Sequence, residues 1–260
     1  MPDVKVQVVD EGQGQVILVV HPGLDDGASW SKVAARLTAR FRVVRIHRRQ
    51  YRLDLADRLP CSIADEAEDV VDLAQSFDEP VLLVGHSSGA VVALEALVRS
   101  PASFSGAVLY EPPVHLRTGE WTAAVARAQA EISAGRPGTA MKIFTRDIVA
   151  LPGWIAGLIA MFVAFSPRFR ALAPHQVDDA AAIDNLGVRL DAYAGIAVPI
   201  VLLGGDRSPA HLIQRLKALQ SAIPATELVM MTGQGHDANT RAPETVARVV
   251  EGQADKVWTR

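Results

Sequence analysis

A chain of 260 residues is long enough to bury a large core and short enough to form one domain carrying an insertion. Apolar residues make up 49% and charged residues 21%, which excludes an intrinsically disordered chain. A formal charge of -3 offers no overall basic surface for nucleic acid or an anionic membrane, so a small molecule is the expected partner.

The single cysteine, Cys61, excludes an intramolecular disulfide and any zinc site built from several cysteines. Residues 1–11 alternate at Val4, Val6 and Val8, without the charged start and apolar run of a signal peptide, and a cytoplasmic protein is expected. The next apolar run, 16–20, is continuous, as in a strand covered on both faces. Trp30, Val33, Ala34 and Leu37 then fall at helical spacing. After a second apolar run at 43–46, Ser62 and Asp65 form a capping box. It is followed by Ile63, Ala67, Val70, Ala74 and Phe77 on one helix face. The run 81–84 leads into a helix from the Ser87 turn to about Ser100, stopped by Pro101. Runs at 107–110, 200–203 and 228–231 repeat the strand theme, and Pro243 and Gly252 frame a last helix. Strands alternating with helices predict an α/β fold with a mostly parallel central sheet.

Between 112 and 196 the alternation stops and the pattern is helical throughout. We read one domain over 1–260 with a helical cap inserted at 112–196. Within it, 148–166 is a stretch of nineteen residues without a charge, long enough for a membrane span. Pro152, Gly153 and Gly157 interrupt it, so a buried or lid-forming helix is expected, with Phe162 and Phe165 roofing an acyl pocket.

The chemistry is concentrated at strand ends. Gly85-His86-Ser87-Ser88-Gly89 is G-x-S-x-G between a strand and a helix, the setting that exposes a serine nucleophile near a helix N-terminus. Side chains at 85 or 89 are expected to collide with the neighbouring strand and helix. Serine needs a base, and of seven histidines His236 follows a strand through Gly233-Gln234-Gly235. His86 reads as structural, and His47, His115, His175 and His211 as surface or packing residues. Asp206, delivered through Gly204-Gly205, is the expected acid partner of His236, with Glu111 as the alternative. The oxyanion donors are expected at the backbone N–H groups of Ser88 and Gly23, with Leu24 next in line because Pro22 has no N–H. No grouping of residues has metal-ligand spacing, and no nucleotide or flavin fingerprint is present, so no cofactor is expected.

Taken together, His21-Pro22-Gly23, the Gly85–Gly89 turn, Asp206 and His236 resemble the α/β-hydrolase superfamily, in particular its esterase-like members with a helical cap. The resemblance implies an α/β-hydrolase fold and hydrolysis of a carboxylic ester or lactone through an acyl-enzyme on Ser87. Thioester hydrolysis, C–C hydrolysis, perhydrolysis, and a cyclase or receptor retaining the fold use the same constellation. After the second predicted strand the family often has Asp-x-Arg-Gly-x-Gly. Here the chain reads His47-Arg48-Arg49-Gln50-Tyr51-Arg52, and a solvated surface loop is expected in place of an anion site.

Overall fold

The computed structural model describes residues 6–55 and 61–258, so Val4 lies outside the described residues. Seven strands form one sheet: β1 (Gln7–Glu11), β2 (Val16–Val20), β3 (Arg42–His47), β4 (Val81–His86), β5 (Phe104–Tyr110), β6 (Ile200–Gly205) and β7 (Thr226–Met231). Their spatial order is β1-β3-β2-β4-β5-β6-β7. β1 runs antiparallel to β3, and every other pair is parallel. The continuous apolar runs of β4 and β6 are buried along their whole length, whereas β1, at the edge, is exposed at every position.

The period of two sorts each strand between two cores. Ile17, Val19, Val43, Leu82 and Val84 pack with α1 (Ser31–Leu37) and the last helix, α11 (Pro243–Trp258). Leu18, Val20, Val44, Ile46 and Leu83 face the other way, onto α2 (Ile63–Gln75) and α3 (Ser88–Arg99). The capping box at the start of α2 is present: Asp65 N–H donates to Ser62 Oγ at 3.2 Å, and Ser62 N–H donates to Asp65 at 2.8 Å.

Between β5 and β6 lie α4 (Thr122–Ser133), α5 (Pro137–Ile143), a π-helical turn (Phe144–Ile148), α6 (Gly153–Phe165), α7 (Pro167–Leu186) and α8 (Leu190–Tyr193). α9 (Ala210–Ala222) joins β6 to β7, and α10 (Ala238–Arg241) precedes α11. The apolar stretch departs from its expected burial. α6 buries Ala156 and Val163 and turns Phe162 and Phe165 outward, at 58% and 83% exposure. No single described helix is long and apolar enough to cross a membrane.

The last helix also differs from expectation, because Gly252 lies inside it. α11 continues past this position since Gln253 and Ala254 are buried, and that packing outweighs glycine's poor helix propensity. Gly252 is exposed, and a Cβ there would meet nothing within 4 Å. Gly252→Ala is therefore expected to stabilise the fold by about 0.5–1 kcal/mol, read as a higher urea midpoint at unchanged slope.

Candidate active site

The turn after β4 is as tight as its glycines imply. Ser87 has φ 54° and ψ -127°, a strained conformation of the kind that costs about 1–3 kcal/mol. A Cβ on Gly85 would sit 2.6 Å from the Cα of Ala90, and one on Gly89 would strike the carbonyls of Val20 and His21. The Ser87 N–H donates to the Tyr110 carbonyl at 2.8 Å, tying the turn to the end of β5. Ser88 opens α3, so its N–H stands at a helix N-terminus that favours developing negative charge.

His236 arrives by a loop that crosses the end of β6. A Cβ on Gly205 would strike the Gln234 carbonyl and stand 3.0 Å from the Cα of Gly235, so glycine is what lets the loop pass. Two buried side chains fasten it. The Tyr110 hydroxyl donates to the Gly235 carbonyl and accepts from the Ala238 N–H at 3.1 Å. His86 stacks on Tyr110 with ring centres 4.3 Å apart, and its Nε2 donates to the His236 carbonyl at 3.0 Å. Trp30 Nε1 donates to His86 Nδ1 at 3.4 Å, consistent with the proton on Nε2. Burial, then the nearby His236, hold the His86 pKa well below the ordinary histidine value, so this ring is a neutral prop.

The acid beside His236 is Glu111. Its Oε2 accepts from His236 Nδ1 at 2.6 Å, and its Oε1 accepts from the Gly205 N–H at 2.8 Å, with the residue wholly buried. Glu111 itself has φ 47°, a left-handed turn immediately after β5. The expectation that Asp206 holds His236 is corrected accordingly. Asp206 is exposed, and its carboxylate accepts from the Gly233 N–H at 2.8 Å, closing the turn after β7. Of Gly204-Gly205, read in the sequence as delivering Asp206, Gly205 serves the passage of the histidine loop, while a Cβ on Gly204 would meet Leu216 and Met230.

The loop after β2 brings Gly23 and Leu24 to the same cavity as Ser87, Ser88 and His236. Leu24 has φ 55°. A Cβ on Gly23 would strike the end of the Gln176 side chain and lie 2.8 Å from the Tyr51 hydroxyl, so α7 packs closely on this loop and a larger residue there would displace the Gln176 amide.

The segment 47–52 is not a solvated loop. Arg48 is 1% exposed, and its guanidinium donates to Glu66 at 2.5 Å, to Asp179 at 2.8 Å and to Ser88 Oγ at 2.7 Å. Its backbone N–H donates to His21 Nε2 at 3.0 Å, while His21 Nδ1 donates to the Pro22 carbonyl at 2.7 Å. Burial, then the Arg48 charge, push the His21 pKa down to about 3, so this histidine is neutral. The Tyr51 hydroxyl lies 2.7 Å from Asp179, to which it donates. Arg49 pairs with Asp69, and Arg52 donates to Asp54 at 2.6 Å. Glu66 interrupts the apolar face of α2 and Asp179 that of α7. An acid inside an apolar stripe was the sequence signal for this cluster.

The cavity holds about 550 Å³ and is lined mainly by apolar side chains, among them Trp121, Phe144, Ile148, Leu151, Ile183 and Leu212. Among the described residues no lysine or arginine lines it, and Asp237 is its one carboxylate. Phe162 and Phe165 are not among the lining residues, which corrects the expectation that they form its roof. From 148–166 only Ile148, Val149 and Leu151 reach it. His211 also lines it, with Nε2 donating to the Val149 carbonyl at 3.0 Å, so it is a half-buried packing residue of the wall. Among the described residues no group of three or more His, Cys, Asp or Glu side chains is placed to hold a metal.

The model of the alpha/beta hydrolase family matches residues 17–249. The 2-(acetamidomethylene)succinate hydrolase of Mesorhizobium japonicum is 23% identical over 266 residues, covering 97% of this chain and 92% of that protein. Among solved structures, an alpha/beta hydrolase from Sphaerobacter thermophilus superimposes with a TM-score of 0.80 at 26% identity, covering 95% of each chain. A thermophilic esterase from Thermogutta terrifontis does so with a TM-score of 0.75 at 20% identity, covering 97% of this chain and 93% of that one.

The Arg48 cluster generates a stability test. Burial raises the Glu66 pKa, with Arg48 opposing the rise, and removing the guanidinium leaves two carboxylates buried together. Arg48→Met is expected to cost about 3 kcal/mol or more at neutral pH. A carboxyl whose pKa is raised by folding favours the fold at acid pH and loses that contribution as pH rises through its folded value. The gap in urea midpoint between wild type and Arg48→Met should therefore narrow as the pH is lowered.

Proposed function

The chain belongs to the alpha/beta hydrolase family, and from that premise we propose a serine hydrolase that cleaves a neutral, largely apolar carboxylic ester or lactone. The observation that carries the reading is the bond of the partly exposed His236 to the buried Glu111, beside a mainly apolar cavity that Ser87 also lines. With Nδ1 donating to Glu111, the His236 imidazole keeps Nε2 as the free base. His236 takes the Ser87 proton as Oγ attacks the substrate carbonyl. The N–H groups of Ser88 and Gly23 receive the developing oxyanion, with Leu24 the alternative to Gly23. Collapse expels the alcohol, protonated by His236, and leaves the acyl group on Ser87. Water, deprotonated by the same imidazole, then releases the acid. Preorganised N–H donors of this kind contribute on the order of 3 kcal/mol each to the transition state.

Glu111 takes the part of the triad acid, because a carboxylate that is fully buried and held by a backbone N–H keeps the imidazole in one tautomer. The helices at 112–196 act as a cap whose inner side supplies Trp121, Phe144, Ile148 and Ile183 to the acyl pocket. That lining also bears on substrate class. The relative from Mesorhizobium japonicum is named for a succinate, a dicarboxylate, whereas among the described residues no lysine or arginine stands in this cavity to pair with a carboxylate.

Ser87→Ala and Glu111→Gln are each expected to lower kcat by about 10³-fold or more, with the serine variant losing phosphonate labelling altogether and the glutamine variant labelled at Ser87 more slowly. Asp206→Asn should stay within about threefold of wild type, since its carboxylate only closes a turn. A larger loss from Asp206→Asn than from Glu111→Gln would return the role to Asp206. Across a panel of acyl esters, neutral chains should be cleaved at least about tenfold better than chains ending in a carboxylate. The reverse preference would refute the neutral-substrate reading.

A further inference from the structure

The inserted helices present a second surface, which the chemistry at Ser87 does not use. No residue from 148 to 166 is charged, and α6 is apolar on both sides. Its inner side packs Val163 against Met141 and Ala173. Its outer side exposes Trp154 (71%), Leu158 (53%), Met161 (55%), Phe162 (58%) and Phe165 (83%). These positions step by four, three, one and three, and so share one helix face. Single exposed apolar side chains are ordinary, but five contiguous ones on one helix mark an interaction surface.

The charge around the helix says what covers it. Residues 135–171 contain Arg136, Lys142, Arg146, Arg168 and Arg170 against one acid, Asp147, in a chain of net charge -3. Three of these cations meet exposed or half-buried carboxylates, Glu131, Asp147 and Asp26, so five cations stand against three acids and the surroundings stay positive. Arg136 and Arg170 share a groove with Ala160, Met161 and Ala164, on the flank of the apolar face. An apolar helix face carrying Trp, Phe and Leu within a basic border has the chemistry of an interfacial helix. At 1.5 Å per residue the thirteen residues of α6 span about 20 Å, short of the roughly 30 Å hydrocarbon core, so the helix would lie along a bilayer surface.

We propose that α6 docks this protein on the surface of an anionic phospholipid bilayer, with Trp154, Leu158, Met161, Phe162 and Phe165 seated among the acyl chains and the flanking cations on the headgroups. The segment entering α6 lines the catalytic cavity at Ile148, Val149 and Leu151, so a docked molecule would hold its cavity close to the lipid phase. A second copy of the chain is the rival cover. A twofold pairing through α6 would set the same cations against each other, which disfavours it.

Flotation of the full chain with phosphatidylglycerol vesicles and with phosphatidylcholine vesicles tests this, and it is read without turnover, so it fails or succeeds independently of the serine-hydrolase reading. Flotation with phosphatidylglycerol, released by high salt, is expected. Phe162→Glu combined with Phe165→Glu should weaken it by about tenfold or more. Both positions are exposed, and an unchanged thermal midpoint verifies the fold. Arg136→Glu combined with Arg170→Glu should weaken binding to phosphatidylglycerol while leaving binding to phosphatidylcholine unaltered. Absence of flotation, or equal salt-insensitive flotation with both lipids, would overturn the proposal. A concentration-dependent dimer in sedimentation, dispersed by the double phenylalanine substitution, would assign the face to a second copy instead.

Discussion

A carboxylate withdrawn from water must be surrounded by donors, because an unpartnered buried charge costs several kcal/mol, roughly 3–5 when one partner is removed. Glu111 is wholly buried, and its two donors are the Gly205 N–H and the His236 ring. Much of the site's architecture follows from satisfying that one group. The loop after β7 must cross β6 to bring the ring within 2.6 Å, and the crossing requires Gly205. The loop must also be held there, which Tyr110 and the neutral His86 do through the carbonyls of Gly235 and His236. The imidazole is left partly exposed, on the wall of the mainly apolar cavity that Ser87 also lines.

A second buried charge organises the opposite wall. Arg48 joins β3, α2, α3 and α7 in one cluster through His21, Glu66, Ser88 and Asp179. Its bond to Ser88 Oγ lies on the residue whose backbone N–H is the first expected oxyanion donor. Its bond to Asp179 fixes the helix that closes over Gly23. The shape of the cavity thus rests on a guanidinium that does not itself line it. Burial raises the Glu66 pKa despite the salt bridge to Arg48, and the second acid, Asp179, adds to the rise.

Much of this was legible in the residue order, for physical reasons that differ by element. The parallel strands show as unbroken apolar runs because both faces are covered, and the turn at Ser87 shows because only glycine tolerates the contacts at 85 and 89. The acid was not decided by sequence. Both Glu111 and Asp206 follow apolar strands, and glycines before an acid look alike whether they deliver it or let another loop pass. Only the crossing of the 233–236 loop over β6 separates them. The loop at 47–52 was misread because charge normally marks solvent, and its buried partners lie 18 and 131 residues away. The outward face of α6 was misread for the converse reason: an apolar run reads as core, and nothing local says which side of the fold it meets.

The pairing of His236 with Glu111 is most directly tested by proton NMR of the shared Nδ1 hydrogen. A 2.6 Å bond from an imidazole to a fully buried carboxylate should give a resonance far downfield, coupled to ring nitrogen and protected from exchange. The signal should be present in wild type, persist in Asp206→Asn and disappear in Glu111→Gln. Its loss in Asp206→Asn and survival in Glu111→Gln would contradict the account.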